Sequence, residues 1–388
     1  MKIANICFSF FVLLSLISCG GSDVELSWKE IPPVNDESFK VNFYVENSGS
    51  MNGYMNAGSE FENAVHFYAN ELDKYADTTR LFFINSKIIP FTGDINAFTL
   101  NMTPSNFSSL GGNTSSSSID EMMKAILEKN DNNTVSVFVS DCILAVPFGE
   151  AQKFFSIARD NVNKVFWKTL KKHDDLGVEI FCLKSDFNGN YYQWGKSPVK
   201  IHQHRPYYMW VIGPQKILGQ INKHIDIADI PGGDIKVASY SSAKNIPFTI
   251  VNTFGTAGHS AGHITVTPDG AKAHVLIRAD LSSTLLDNNY LSNKNNYTKK
   301  SPLVQIENVK KISYGTYTHE ISLAIMDNAH GSECIKTGYT DIPEWVENIS
   351  SDDGGDLNKT SGIKYIVSGV ADAYKNLTDQ SGIKFEIK

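Results

Sequence analysis

Val41-Asn42-Phe43-Tyr44-Val45 runs directly into Glu46-Asn47-Ser48-Gly49-Ser50-Met51, and the reading of this stretch decides the fold. The first half is a short apolar run rich in β-branched and aromatic residues, as in a buried strand. The second half is a turn, with a glycine between two serines and a carboxylate just ahead of them. Glu46, Ser48 and Ser50 stand at alternate positions, so one tight turn can aim all three oxygens the same way. Such hard oxygen ligands suit Mg²⁺, Ca²⁺ or Mn²⁺. In a parallel α/β domain ligands bind at the carboxyl ends of strands, which is where this turn falls.

Outward from that stretch, strands and helices alternate. Residues 60–75 carry Phe61, Ala64, Val65, Tyr68 and Leu72 at helical spacing. Further helices are expected over 120–127 and 150–171, and further strands over 80–84, 134–139, 178–183 and 207–212. This alternation predicts an α/β domain over residues 38–215, a doubly wound and mainly parallel sheet covered on both faces. Residues 216–388 differ. Strand-like runs recur at 235–239, 248–252, 263–267, 273–278, 304–306 and 320–326, split by turn residues such as Pro268-Asp269-Gly270. A late helix over 363–374 and a last strand over 383–387 complete a β-rich domain, read as a sandwich.

The N-terminal half resembles the von Willebrand factor A domain, the fold of integrin inserted domains. That family's metal-ion-dependent adhesion site begins with Asp-x-Ser-x-Ser after the first strand, and Glu46, Ser48 and Ser50 occupy those places. A Thr follows in a later Gly-rich loop before a helix, matched by Gly111-Gly112-Asn113-Thr114. An Asp ends a later apolar strand, matched by Val137-Phe138-Val139-Ser140-Asp141. The resemblance implies that Ser48 and Ser50 ligate a divalent cation, Mg²⁺ foremost, while Asp141 and Glu46 supply charge through water. Thr114 completes the shell, and an open position takes an acidic residue from a protein partner. Two positions depart from the family pattern. Glu46 replaces Asp, an extra methylene of about 1.5 Å, and Cys142 replaces the Gly that usually follows the Asp.

The chain's first residues carry a different message. Met1-Lys2 precedes an apolar run over 6–17, too short for a comfortable membrane span but suited to a signal peptide. The run ends in Leu16-Ile17-Ser18-Cys19-Gly20, which resembles the bacterial lipobox. The resemblance implies cleavage after residue 18 and acylation of Cys19, each buried methylene adding about 0.8 kcal/mol of membrane affinity. Residues 19–37 then read as lipidated cysteine and tether. Asp23 and Glu25, close behind the cysteine, resemble the surface-export signals of Bacteroidetes lipoproteins. The expected place is the outer membrane, facing the periplasm or the surface. A net charge of −7 argues against nucleic acid as a partner.

Other motifs carry less. Gly258-His259-Ser260-Ala261-Gly262 matches a hydrolase nucleophile elbow, but the β-branched residues and Pro268 that follow leave no helix after it. A hydrolase using Ser260 or the metal site is the alternative activity, and a metal-free scaffold is a third reading. No catalytic residue is otherwise assigned, so a binding protein is expected rather than an enzyme. His202 with His204, and His259 with His263, offer imidazoles for zinc, though a polar loop explains the first pair. Cys142 and Cys182 would be bridged only if their strands are neighbours. Tyr191, Tyr192 and Trp194, with Tyr207, Tyr208 and Trp210, read as packing between the two domains.

Overall fold

The computed structural model describes residues 23–31, 36–115, 118–144, 150–192, 197–252, 259–260, 262–338, 341–352, 355–375, 377 and 382–388. The signal run and Cys19 lie outside the described residues. In chain order the first elements are β1 (Val24–Ser27), β2 (Lys40–Glu46), α1 (Glu60–Asp73), β3 (Thr78–Ile84), β4 (Ile88–Pro90), α2 (Ile95–Leu100) and α3 (Pro104–Ser109). Then come α4 (Ile119–Leu127), β5 (Thr134–Ser140), α5 (Ala151–Lys172), β6 (Leu176–Tyr191), β7 (Val199–Pro214), α6 (Gln215–His224) and β8 (Lys236–Tyr240).

Helix α1 shows how locally the α/β unit is specified. Ser59 caps it by accepting from the Glu62 N–H, and Glu60 and Glu62 sit in the first turn against the positive end of the helix dipole. Phe61, Ala64, Val65, Tyr68 and Leu72 form its buried face. Strand alternation does the matching work in the sheet. Val41, Phe43 and Val45 face a core with α1, α2, α3 and α6, while Tyr44 faces a second core with α4 and α5.

Seven strands pair in the order β4-β3-β2-β5-β7-β6-β8. Only β3, β2 and β5 run parallel to one another. Strands β4, β7, β6 and β8 each pair antiparallel with their neighbours. The sheet is therefore mixed, with helices on both faces, and not mainly parallel as expected. The cause is the connection from β6 to β7. A parallel return needs a crossover of a dozen or more residues, usually a helix. Residues 184–191 instead alternate exposed and buried, with Phe187 and Tyr191 inward, and pair back as a long hairpin from Leu176↔Pro214 to Tyr191↔Val199.

The second unit contains β9 (Phe248–Asn252), β10 (His259–Ser260), β11 (His263–Val266), β12 (Lys272–Ala279), α7 (Asn288–Ser292), β13 (Tyr297–Thr298), β14 (Val304–Tyr314), β15 (Tyr317–Met326) and β16 (Gly331–Thr337). The chain closes with α8 (Glu344–Ile349), β17 (Ser350–Ser351), β18 (Thr360–Ser361), α9 (Ile363–Lys375) and β19 (Ile383–Ile387). Two antiparallel sheets, β10-β11-β1-β19-β16-β13 and β14-β15-β12-β9, bury their apolar faces in one core, which makes a sandwich.

Three boundaries shift. Residues 24–27, read as tether, form a strand held between β11 and β19, with Val24 and Leu26 in the sandwich core. Strand β8, past residue 215, extends the α/β sheet beside β6. Helix α9, expected in the β-rich domain, packs on α5 and shares its core. At that crossing a Cβ on Gly369 would stand 2.6 Å from the Arg159 carbonyl, so only glycine lets the helices approach. An Arg159–Asp372 ion pair flanks the contact. Among the described residues no helix is long and apolar enough to cross a membrane.

Candidate metal centre

The register Val45↔Val139 sets the carboxyl ends of β2 and β5 side by side, so the loops that follow them emerge together. After β2 the chain tightens into a 3₁₀ turn over Gly49–Tyr54, with Ser48 at its N-cap. The Ser48 cap makes no side-chain bond to the turn's own N–H groups. Its hydroxyl instead lies 3.0 Å from that of Ser50. The 111–114 loop is tied to this turn, since the Gly49 N–H donates to the Thr114 carbonyl at 2.8 Å. Asn85 braces the same loop by donating to the Gly111 carbonyl at 2.9 Å. Gly112, at φ 81°, lets Asn85 come that close, because a Cβ there would lie 2.0 Å from Asn85 Oδ1.

Asp141 follows β5 and is fully buried. Its Oδ1 accepts from the Ile143 N–H at 3.2 Å, and Oδ2 has no hydrogen-bond partner. Burial raises its pKa, while the Ser50 hydroxyl, the Ile143 N–H and the charge of Arg205 pull it back. The next residue, Cys142, adopts φ 52°. That is the left-handed conformation, which glycine takes freely and other residues rarely adopt. The Trp210 indole N–H donates to its sulfur at 3.3 Å, and burial raises the thiol pKa.

The five expected ligands divide. Ser48, Ser50 and Asp141 gather at one place, and Thr114 reaches it through its backbone. Glu46 is buried, and Ser140 donates to its carboxylate. Ser140 also accepts from the Cys142 N–H at 2.8 Å, so Glu46 and the turn after β5 share one hydroxyl. Among the described residues no group of three or more His, Cys, Asp or Glu side chains gathers. The candidate ligand set is thus two hydroxyls and one carboxylate. It fits a hard cation on two counts. A fully buried carboxylate oxygen lacks a partner, and adjacent ligands of an octahedral Mg²⁺ at 2.0–2.1 Å stand about 3.0 Å apart, the spacing of the two hydroxyls.

One residue works the other way. Arg205 on β7 is fully buried, donates to the Lys359 carbonyl at 3.2 Å, and leaves Nε and Nη1 without partners. Its guanidinium lies over the Tyr191 ring, 4.5 Å from the centroid. Its positive charge acts on both Asp141 and Tyr54. The buried Tyr54 hydroxyl donates to the Pro206 carbonyl at 2.6 Å. Nothing in the run from His202 to Arg205 sets this arginine apart from a surface basic residue, and sequence reasoning passed it over.

The other motifs resolve plainly. Among the described residues no disulfide joins Cys142, Cys182 or Cys334, and β7 lies between the strands of the first two, so they are not neighbours. His204 belongs to β7 rather than a loop and stands 3.7 Å from Glu60. His263 faces Glu25 across β11 and β1 at 3.8 Å. Ser260 lies in β10, paired back onto β11, and not at a strand-to-helix turn. Tyr207 faces one core of the α/β unit, and Tyr208 and Trp210 face the other, so these aromatics pack within that unit. Trp194 lies outside the described residues. Comparison with protein-family models, with curated proteins and with solved structures finds no match to this chain.

Proposed function

We propose that this chain is a cell-envelope lipoprotein, held in the outer membrane through acylated Cys19, that grips a protein partner through a divalent cation. The α/β unit serves in this reading as a von Willebrand A-like domain. The observation that carries it is the unpartnered, fully buried Asp141 Oδ2 beside the paired hydroxyls of Ser48 and Ser50. Ser48 and Ser50 would hold the cation through their hydroxyls and Asp141 through its carboxylate, with Thr114 closing the shell. Glu46 contributes negative charge beside the Ser140 hydroxyl. The bound cation, Mg²⁺ first and Ca²⁺ or Mn²⁺ next, supplies a positive centre for an acidic side chain of the partner. Nothing in the ligand set is placed as a general base, which favours binding over catalysis.

Calorimetric titration of Mg²⁺, Mn²⁺ and Ca²⁺ into the chain from Gly20 onward, beside Ser48→Ala/Asp141→Ala, tests this. Saturable binding by the wild type alone supports it, and equal behaviour of the two proteins sinks it. A second reading rests on Arg205. Its buried charge balances Asp141 without any metal, and the α/β unit then acts as a spacer for the sandwich.

A further inference from the structure

Strand β1 begins at Val24, which is buried in the sandwich and paired with Val266 of β11. On its other side Leu26 pairs with Ile387 of β19. Between Cys19 and this strand the chain is only Gly20-Gly21-Ser22-Asp23. Fully extended, that stretch lets Val24 stand at most about 18 Å from the backbone of Cys19. So short a reach fixes which end of the sandwich lies near whatever holds Cys19.

Strand register identifies that end. β1 starts where β11 stops, at Val24↔Val266. The chain then turns through Pro268-Asp269-Gly270 into β12, whose first residue, Lys272, pairs with Met326, the last of β15. The loops over 267–271 and 327–330 therefore flank the start of β1. Thr267, Asp269, Gly270, Asn328 and His330 are exposed there. From this end β12 crosses the sandwich, about 25 Å for its eight residues.

The α/β unit covers the opposite end. There Ala279, the last residue of β12, pairs with Phe248 of β9 and His319 of β15. Just beyond, Lys223 of α6 meets Asp280 at 3.2 Å, and a Cβ on Gly219 would stand 2.8 Å from the Ser282 carbonyl. Gln215 holds the loop ahead of β9, accepting from the Ser242 hydroxyl at 3.0 Å and the Ala243 N–H at 3.2 Å. Gln215 follows Pro214, which pairs with Leu176 at the start of β6. The cation site belongs to the other end of these strands, since Ser140, just ahead of Asp141, pairs with Tyr208. From Pro214 back to Tyr208 is about 20 Å of strand. The order is thus β1 start, sandwich, α/β sheet, cation site.

We propose that the loops over 267–271 and 327–330 rest against the lipid bilayer, and that the α/β unit projects from it with the cation site outermost. This rests on the acylation of Cys19 proposed above. Asp23, Asp269 and Asp327 stand against Lys272 and Lys388 at this end, so it has no positive excess to draw anionic lipid. Tether length sets the contact, not charge. A partner of the cation site then approaches from the aqueous phase and not from within the same bilayer.

The test uses the full chain, purified with its lipid and carrying Cys334→Ser, in phosphatidylcholine vesicles with a trace of headgroup-labelled rhodamine lipid. Cys142 and Cys182 are buried, so a donor dye goes to one introduced thiol at a time. Three exposed positions mark the order: Asn328→Cys beside the β1 start, Ser313→Cys on the β14–β15 hairpin at the junction, and Asn188→Cys on β6 past the cation site. Loss of donor emission to the bilayer should be greatest at 328, intermediate at 313 and least at 188. Thr267→Cys should match Asn328→Cys, so the result does not hang on one variant. Equal or reversed losses in acylated protein overturn the proposal and leave the lipoprotein reading standing. An N-terminal peptide whose mass shows no acyl groups on Cys19 overturns both.

Discussion

Asp141 and Glu179 are both fully buried carboxylates of one sheet, and they have opposite surroundings. Asp141 ends a parallel strand, where the Ser50 hydroxyl, the Ile143 N–H and the charge of Arg205 act on it. Glu179 lies within an antiparallel strand, with Asn222 as its one hydrogen-bond partner. Desolvation is the largest influence on each, opposed at Asp141 by a hydroxyl, an N–H and a positive charge but at Glu179 by the Asn222 amide alone. A buried carboxylate surrounded by hydroxyls and positive charge is equipped to meet a cation. One left with a single amide is equipped to stay neutral and donate. Strand direction underlies the contrast, since parallel strands bring their carboxyl ends and loops together at one edge.

The largest expected effect tests the Glu179 side. Its pKa is higher folded than unfolded, so its stabilising contribution is complete below about pH 4.5 and is lost as pH rises through about 8. Wild-type stability should therefore fall across that window by on the order of 5 kcal/mol from this group. Urea unfolding of Glu179→Gln should lack that loss, and parallel pH profiles of the two proteins would dissolve the contrast with Asp141. Next comes Arg205→Met, measured in EDTA. Removing a fully buried charge that acts on a second buried charge should cost about 3 kcal/mol. Adding Asp141→Asn to that chain should recover about 1 kcal/mol or more, and strict additivity would show that the two charges do not balance each other.

Gly112→Ala sharpens the comparison at the loop. Its Cβ meets the Asn85 amide and its φ is positive, so a loss of about 1–2 kcal/mol is expected in thermal unfolding. Mg²⁺ affinity should fall with it, because Asn85 braces the loop that carries Thr114. The smallest effect is that of Ser50→Ala. Stability should stay within about 0.5 kcal/mol, while calorimetry shows Mg²⁺ affinity reduced about tenfold. An unchanged affinity would remove Ser50 from the ligand set.

The parallel half was readable because its signals are local. Apolar periodicity places β2, α1 and β5 to within two residues, and a turn containing Ser-Gly-Ser needs no distant partner to be recognised. The antiparallel half depends on what pairs with what. The outward alternation of residues 184–191 was visible, but its meaning as a hairpin emerges only from the missing helix before β7. Val24–Ser27 is too short to announce a strand, and it acquires one identity between β11 and β19. Helix α6, with Ile217, Leu218 and Ile221 as its apolar face, carries at its middle Gly219, a poor helix former that packs on the backbone of Ser282. Glu179 did leave a mark, a charge inside the apolar run Val178-Glu179-Ile180-Phe181. Arg205 left none, since its burial depends on Tyr191 and the Lys359 carbonyl, both remote in sequence.

The central claim is that Asp141, Ser48 and Ser50 form one cation site. Crystals soaked in Mn²⁺ and measured at the manganese absorption edge test it most directly. An anomalous peak bonded to the Ser48 and Ser50 hydroxyls and adjoining Asp141 is the expected result. No peak there, in crystals that take up Mn²⁺ elsewhere, would contradict the account and leave Arg205 as the lasting counter-charge of Asp141.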